Sequence, residues 1–193
     1  MISDSMTRYV GPIPGVQRVV QPGAVIEDFT DQIWSGETSV KGMDAILIHV
    51  GTNNVANGNC PQHVLTEFGN LIRAIRSRNQ LTHIVVSSIL PRVCDHRTTH
   101  ATVKEVNKLM GQVARERKVV FLRTFLSFCS GKERYGIKEY LYAADGLHLN
   151  PRGCKVLREA FRVQFSDNNI KQREEAMLQD ISLRLTREHN FGD

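Results

Sequence analysis

Asp44-Ala45-Ile46-Leu47-Ile48-His49-Val50 runs directly into Gly51-Thr52-Asn53-Asn54. The first seven residues are mostly apolar, lack a polar alternation and have the length of a strand, which marks a strand buried on both faces in a parallel sheet. The glycine and the three polar residues behind it end that strand in a loop. Working outward, His83 to Ile89 and Lys118 to Leu122 read as strands too, and Val16 to Gln21 is a β-branched strand closed by the Pro22-Gly23 turn. Between the strands, apolar residues recur at helical spacing: Ile26, Phe29, Ile33 and Trp34, then Val64, Leu65, Phe68, Leu71, Ile72 and Ile75, then Val103, Val106, Leu109, Met110 and Val113. Leu90-Pro91-Arg92 leads into a polar loop, and Arg123 to Ala144 is irregular. Pro151 then opens a last helix through Val156, Leu157, Phe161 and Phe165. This alternation predicts a doubly wound, flavodoxin-like α/β fold, a parallel sheet with helices on both faces and its ligand site at the carboxyl ends of the strands.

A chain of 193 residues with 41% hydrophobic residues suffices for one full core. That core is assigned to residues 1–165. Residues 166–193 form a charged C-terminal extension whose thin stripe of Met177, Leu178, Ile181 and Leu185 predicts a helix, either packed on the domain, used in self-association, or left as a solvated tail. Cys60, Cys94, Cys129 and Cys154 are widely spaced, as reduced thiols of an intracellular protein are. No apolar run approaches the roughly 18 residues of a membrane span, and Met1-Ile2-Ser3-Asp4 is no signal peptide, so the expected location is cytoplasmic or nuclear, not secreted. The net charge of +5 is uneven: residues 61–130 hold 11 Lys/Arg against 4 Asp/Glu. This basic middle third can attract RNA or an anionic membrane, although Arg73, Arg76, Arg78, Arg115 and Arg117 also suit the wet sides of two surface helices.

Chemistry concentrates at three strand ends. Asp145-Gly146-Leu147-His148-Leu149-Asn150 sets an acid three residues before a histidine, within reach of its imidazole, so that one ring nitrogen is fixed and the other can take a proton. The candidate nucleophile is Ser5 in Ser3-Asp4-Ser5-Met6, and Asn53 supplies a side-chain amide. Taken singly, each has a plainer use: Ser5 as a helix cap, Asn53 and Gly23 as turn residues, Asp145 as a cap or ion-pair partner. His96 and His100 have metal-ligand spacing but no third ligand beside them, and His49, inside an apolar strand, reads as a core histidine. No metal or organic cofactor is expected, because phosphate-loop and dinucleotide motifs are absent.

Asp4-Ser5, Gly23, Gly51-x-Asn53 and Asp145-x-x-His148 fall in the order and approximate spacing of the four blocks of the SGNH hydrolases, also called GDSL-type esterases, and the chain resembles that family over residues 1 to about 165. Within it, the Pro-Gly-Ala turn, the Gly-Thr-Asn-Asn loop and Asp-Gly-Leu-His-Leu-Asn are most similar to the esterase domains of the first-open-reading-frame proteins of some non-LTR retrotransposons. The resemblance implies a serine ester hydrolase acting on a small-acyl or lipid-type oxygen ester through an acyl-serine intermediate. It implies Ser5 as nucleophile, His148 as general base, Asp145 as its orienting acid, and an oxyanion hole made by the Ser5 and Gly23 backbone N–H groups and the Asn53 amide. The competing expectation is a catalytically silent module that binds RNA or anionic membrane in a retroelement ribonucleoprotein. Two departures from the family pattern carry expectations of their own: Ser3 stands where the family has glycine, adding a side chain to a tight turn, and only Met1 and Ile2 precede the motif, so the first strand, which lies mid-sheet, is truncated.

Overall fold

The computed structural model of the protein describes residues 1–131 and 136–165, and the C-terminal extension expected at 166–193 lies outside the described residues. Five strands, β1 (Ile2–Ser3), β2 (Val19–Val20), β3 (Ala45–His49), β4 (His83–Ser87) and β5 (Val120–Leu122), form one sheet in the order β2-β1-β3-β4-β5. Every pairing is parallel, with Ile48 opposite Ile2 on one side and Val86 on the other. This is the doubly wound, flavodoxin-like order expected, and its winding reverses between β1 and β3, which opens a crevice at their carboxyl ends.

The helices are α1 (Ile26–Ser35), α2 (Thr52–Ala56), α3 (Pro61–Arg78), α4 (His96–Glu116) and α5 (Pro151–Gln164). Strand side chains alternate between faces, so Ile46, Ile48, Ile84 and Val86 join the apolar stripes of α1, α3 and α4, while Leu47 and Val85 meet Leu157 and Phe161 of α5. Phe29, Phe68 and Phe161 are all fully buried, each a favourable contribution of about 1.5–3 kcal/mol. Gly153 permits the close seating of α5, since a Cβ there would lie 2.1 Å from the Leu141 carbonyl oxygen.

The structure departs from the sequence reading in several places, beginning with strands shorter than expected, β4 ending at Ser87 and β5 starting at Val120. Gly51-Thr52-Asn53-Asn54 is no loop: Gly51, at φ +111°, turns the chain and α2 begins at once. The polar stretch before Val103 is helical from His96, because Asp95 supplies both its carbonyl and its carboxylate to the first turn, where Thr98 and Thr99 donate to them. Trp34, counted in the apolar stripe of α1, is 47% exposed with the Arg78 guanidinium over its ring. The strand at Val16 to Gln21 shrinks to Val19–Val20, since its partner β1 has only two residues.

Short as it is, β1 is mid-sheet, and the turn behind it forms. Ile2, Ser3, Asp4 and Ser5 are all buried. The Ser3 hydroxyl that replaces the family's glycine hydrogen-bonds the Thr7 hydroxyl at 2.5 Å, so its side chain is absorbed inside the turn. At the opposite, amino-terminal ends of the strands, a cleft of about 360 Å³ lies against Met1, Val16, Ala45 and Ile46.

Candidate active site

Ser5 opens a 3-10 turn (Ser5–Thr7) at the carboxyl end of β1. Asp4 caps that turn by accepting from the Met6 N–H at 3.0 Å. From the far end of the fold, the segment before α5 brings in His148, whose Nε2 lies 3.1 Å from Ser5 Oγ. Its Nδ1 is 2.7 Å from Asp145 Oδ2. An ionised carboxylate can only accept, so Nδ1 carries the proton and the Nε2 lone pair faces the serine hydroxyl. Asp145 Oδ1 also accepts from the Leu147 and His148 backbone N–H groups, both at 2.9 Å. The His148 hydrogen bond, followed by these backbone donors, lowers the Asp145 carboxyl to about 2, so it is ionised throughout the neutral range.

The loop carrying Asp145 is fixed from behind. Gly146 adopts φ +64°, and its carbonyl accepts from the Val93 and Cys94 N–H groups at 2.9 and 3.0 Å. A Cβ at Gly146 would stand 2.9 Å from the Cys94 nitrogen, so both conformation and close approach require glycine.

Gly23 and Asn53 reach the same crevice from β2 and α2. Gly23 sits in the left-handed region at φ +80° with open space around it, so it is the backbone conformation, rather than a close neighbour, that calls for glycine. Asn53 Nδ2 donates to the Ala24 carbonyl at 2.8 Å, which ties the amide to the Gly23 turn with one hydrogen and leaves the second available. Neither Ser5 nor Gly23 donates its backbone N–H to another group among the described residues. Asn54 is wholly buried instead: it accepts from the Ile26 N–H and donates to Glu27, locking α2 onto α1. The structure thus brings Ser5, His148, Asp145, Gly23 and Asn53 to one rim of the sheet.

Two charged residues of this region escaped the sequence reading. Asp4 stands in the sequence only as part of the Asp4-Ser5 motif, yet the residue is 1% exposed. Burial pushes its carboxyl up to about 7, against the opposing pull of the Met6 and Thr52 backbone N–H groups, Arg92 and His148. Arg92, expected to lead into a polar loop, is 5% exposed. Its signal was an arginine directly after an apolar strand and Leu90-Pro91, where the chain had not yet left the core.

The other histidines are placed elsewhere. His49 is a core residue: Nδ1 meets Ser87 Oγ at 2.9 Å, its ring lies edge-on to Phe161, and burial lowers its pKa to about 4. His96 and His100 lie on the first turns of α4 with ring centroids 4.2 Å apart. Among the described residues, Glu27, His63 and Glu67 present potential metal-ligand atoms within 4.8 Å of one another, a group that crosses from α1 to α3 and that sequence spacing does not reveal.

The sequence profile of the GDSL-like lipase/acylhydrolase family matches residues 10–156. The chain belongs to that family. The profile begins after Ser5, so the placement of the serine rests on the structure and the blocks that match. No curated protein sequence matches significantly. Solved structures of GDSL-family proteins share the fold: a lipolytic G-D-S-L family member from Veillonella parvula superposes with a TM-score of 0.69 at 18% identity, over 86% of this chain and 96% of that one. A GDSL-like lipase from Bacteroides thetaiotaomicron gives 0.70 at 14% identity, over 89% and 86%. A carbohydrate esterase family 3 protein from Talaromyces cellulolyticus gives 0.65 at 18%, over 82% and 78%.

Proposed function

We propose that this GDSL-family protein is a serine esterase that cleaves a small-acyl or lipid-type oxygen ester through an acyl-Ser5 intermediate. The carrying observation is the continuous chain from Ser5 Oγ to His148 Nε2 at 3.1 Å and from His148 Nδ1 to Asp145 at 2.7 Å. A serine hydroxyl alone is a weak nucleophile. Here His148 takes its proton as Oγ attacks the ester carbonyl, and Asp145 stabilises the resulting imidazolium. The carbonyl oxygen becomes an oxyanion that faces the Ser5 and Gly23 N–H groups and the second hydrogen of the Asn53 amide. His148 then gives its proton to the departing alcohol. Water, activated by the same imidazole, releases the acid and regenerates Ser5.

The acid–histidine side of the site is open to solvent. The His148 and Asp145 side chains are 30% and 50% exposed. Such a rim favours a small acyl group on a large or membrane-held alcohol over a long acyl chain that needs a tunnel, and the carbohydrate esterase named above is a neighbour consistent with this choice. Hydrolysis of p-nitrophenyl acetate by the wild type, lost in Ser5→Ala, tests the reading.

The alternative is a silent module holding RNA or anionic membrane in a retroelement particle through the basic middle third. Two of its arginines are already engaged: Arg76 donates to the Gln80 and Thr82 carbonyls, and Arg78 to the Trp34 carbonyl. Their use as hydrogen-bond donors within the fold favours the esterase reading. A steep loss of RNA affinity with salt, together with no ester turnover, would reverse that preference.

A further inference from the structure

The segment Pro91–Asp95 touches both halves of the site while contributing no group to the reacting atoms. Its backbone supports the acid–histidine half, through the Val93 and Cys94 N–H groups on the Gly146 carbonyl and through the Pro91 carbonyl, which accepts from the Tyr142 hydroxyl at 2.8 Å. Its arginine reaches the other half. Arg92 Nη1 donates to Thr52 Oγ1 at 2.9 Å and to the Thr52 carbonyl at 3.3 Å. The rest of the guanidinium forms a two-pronged pair with Asp95, Nε to Oδ1 at 2.8 Å and Nη2 to Oδ2 at 2.6 Å. Asp95 is in turn fixed at the start of α4 by Thr99.

Thr52 is the residue immediately before Asn53 and the first of α2. It is held by Arg92 through both its hydroxyl and its carbonyl. A buried guanidinium is stabilised only when its donors are used, and the planar fork fills both directions at once, toward Thr52 and toward Asp95. α2 is five residues long and cannot hold its own position by helix stability.

We propose that Arg92 is a positioning residue: through Thr52 it sets the Asn53 amide at the distance from Ser5 that the oxyanion requires, and it does so from the same segment that seats Asp145 and His148. This rests on the esterase reading above.

The test is a double-mutant cycle between Arg92 and Asn53, read as kcat per active site, with sites counted by stoichiometric fluorophosphonate labelling so that unfolded molecules do not enter. Arg92→Met should lower kcat by about 10- to 100-fold, the scale of a misplacement near 1 Å, with KM changed by less than about threefold. Arg92→Lys should recover part of the loss, because an ammonium can hold Thr52 or Asp95 but not both. In an Asn53→Ala background the Arg92→Met loss should shrink to less than about threefold, since the group it positions is gone. If Arg92→Met does not fold, Arg92→Lys and Thr52→Val, each alone and with Asn53→Ala, carry the same cycle. Turnover per site within about twofold of wild type in Arg92→Met, or a loss that persists undiminished without the Asn53 amide, overturns the proposal. A folded wild type without any turnover removes the esterase reading and this inference together, whereas an active wild type with an indifferent Arg92 removes the inference alone.

Discussion

His148 Nε2 stands 3.1 Å from Ser5 Oγ across 143 residues of sequence. Chain topology produces this meeting, because the strand order β2-β1-β3-β4-β5 puts the end of β1 mid-sheet and the segment before α5 crosses to it. In the proposed mechanism the charge that develops at His148 is balanced by Asp145, and the charge at the substrate meets donors at the ends of β1 and β2 and on α2.

If the Asn53 amide receives the oxyanion, its worth lies in the transition state. Asn53→Ala should lower kcat by about 100- to 1000-fold with KM nearly unchanged. Asn53→Asp, of the same shape, should be at least as damaging because it places an acceptor where a donor is needed. Steady-state kinetics of both variants check this, and wild-type turnover in either removes Asn53 from the mechanism.

Asp145 holds one tautomer of His148. Asp145→Asn keeps the shape but supplies an amide that can present a donor to Nδ1, favouring the opposite tautomer, and kcat should fall by about 10²- to 10⁴-fold. With the Asp145 carboxyl at about 2, no acid limb from this group should appear in the wild-type pH–rate profile above about pH 4. A profile tracing a carboxylate near pH 4–5 that vanishes in Asp145→Asn would contradict the geometry.

Asp4 has the opposite sign. In the folded chain its carboxyl holds its proton up to about pH 7, while the unfolded chain releases it near 3.8. The folded state therefore binds more protons between those values, and stability declines as pH rises from about 4 to about 7, by on the order of 4 kcal/mol from this group. Asp4→Asn should lose less stability over that window than the wild type does. Urea unfolding at pH 4.5 and pH 7 reads the difference, and parallel behaviour of the two proteins would show that Asp4 is not the titrating group.

What was legible in sequence was what depends on spacing along the chain. Asp145 and His148 lie three apart, so their contact is nearly local, and the apolar run ending at Gly51-Thr52-Asn53 announced a buried strand with a polar tip. The parallel sheet followed from alternation alone. What was not legible depends on burial after folding. Asp4 and Arg92 look like surface charges in sequence and are enclosed by elements far away, so only the fold reveals their burial. The start of α4 was missed because its first turns are polar and are tied to Asp95 through the Thr98 and Thr99 hydroxyls rather than announced by an apolar stripe. Trp34 misled because its ring is at the surface with the Arg78 guanidinium over it, where an aromatic body and a cation serve each other.

The most direct measurement of the central claim is covalent: mass spectrometry of the folded protein after reaction with a fluorophosphonate. One adduct should form, on the peptide carrying Ser5. It should be absent from Ser5→Ala and slowed by orders of magnitude in His148→Ala, while both variants keep the wild-type circular dichroism spectrum. A folded wild-type protein that takes no label, or takes it on a residue other than Ser5, would contradict the account.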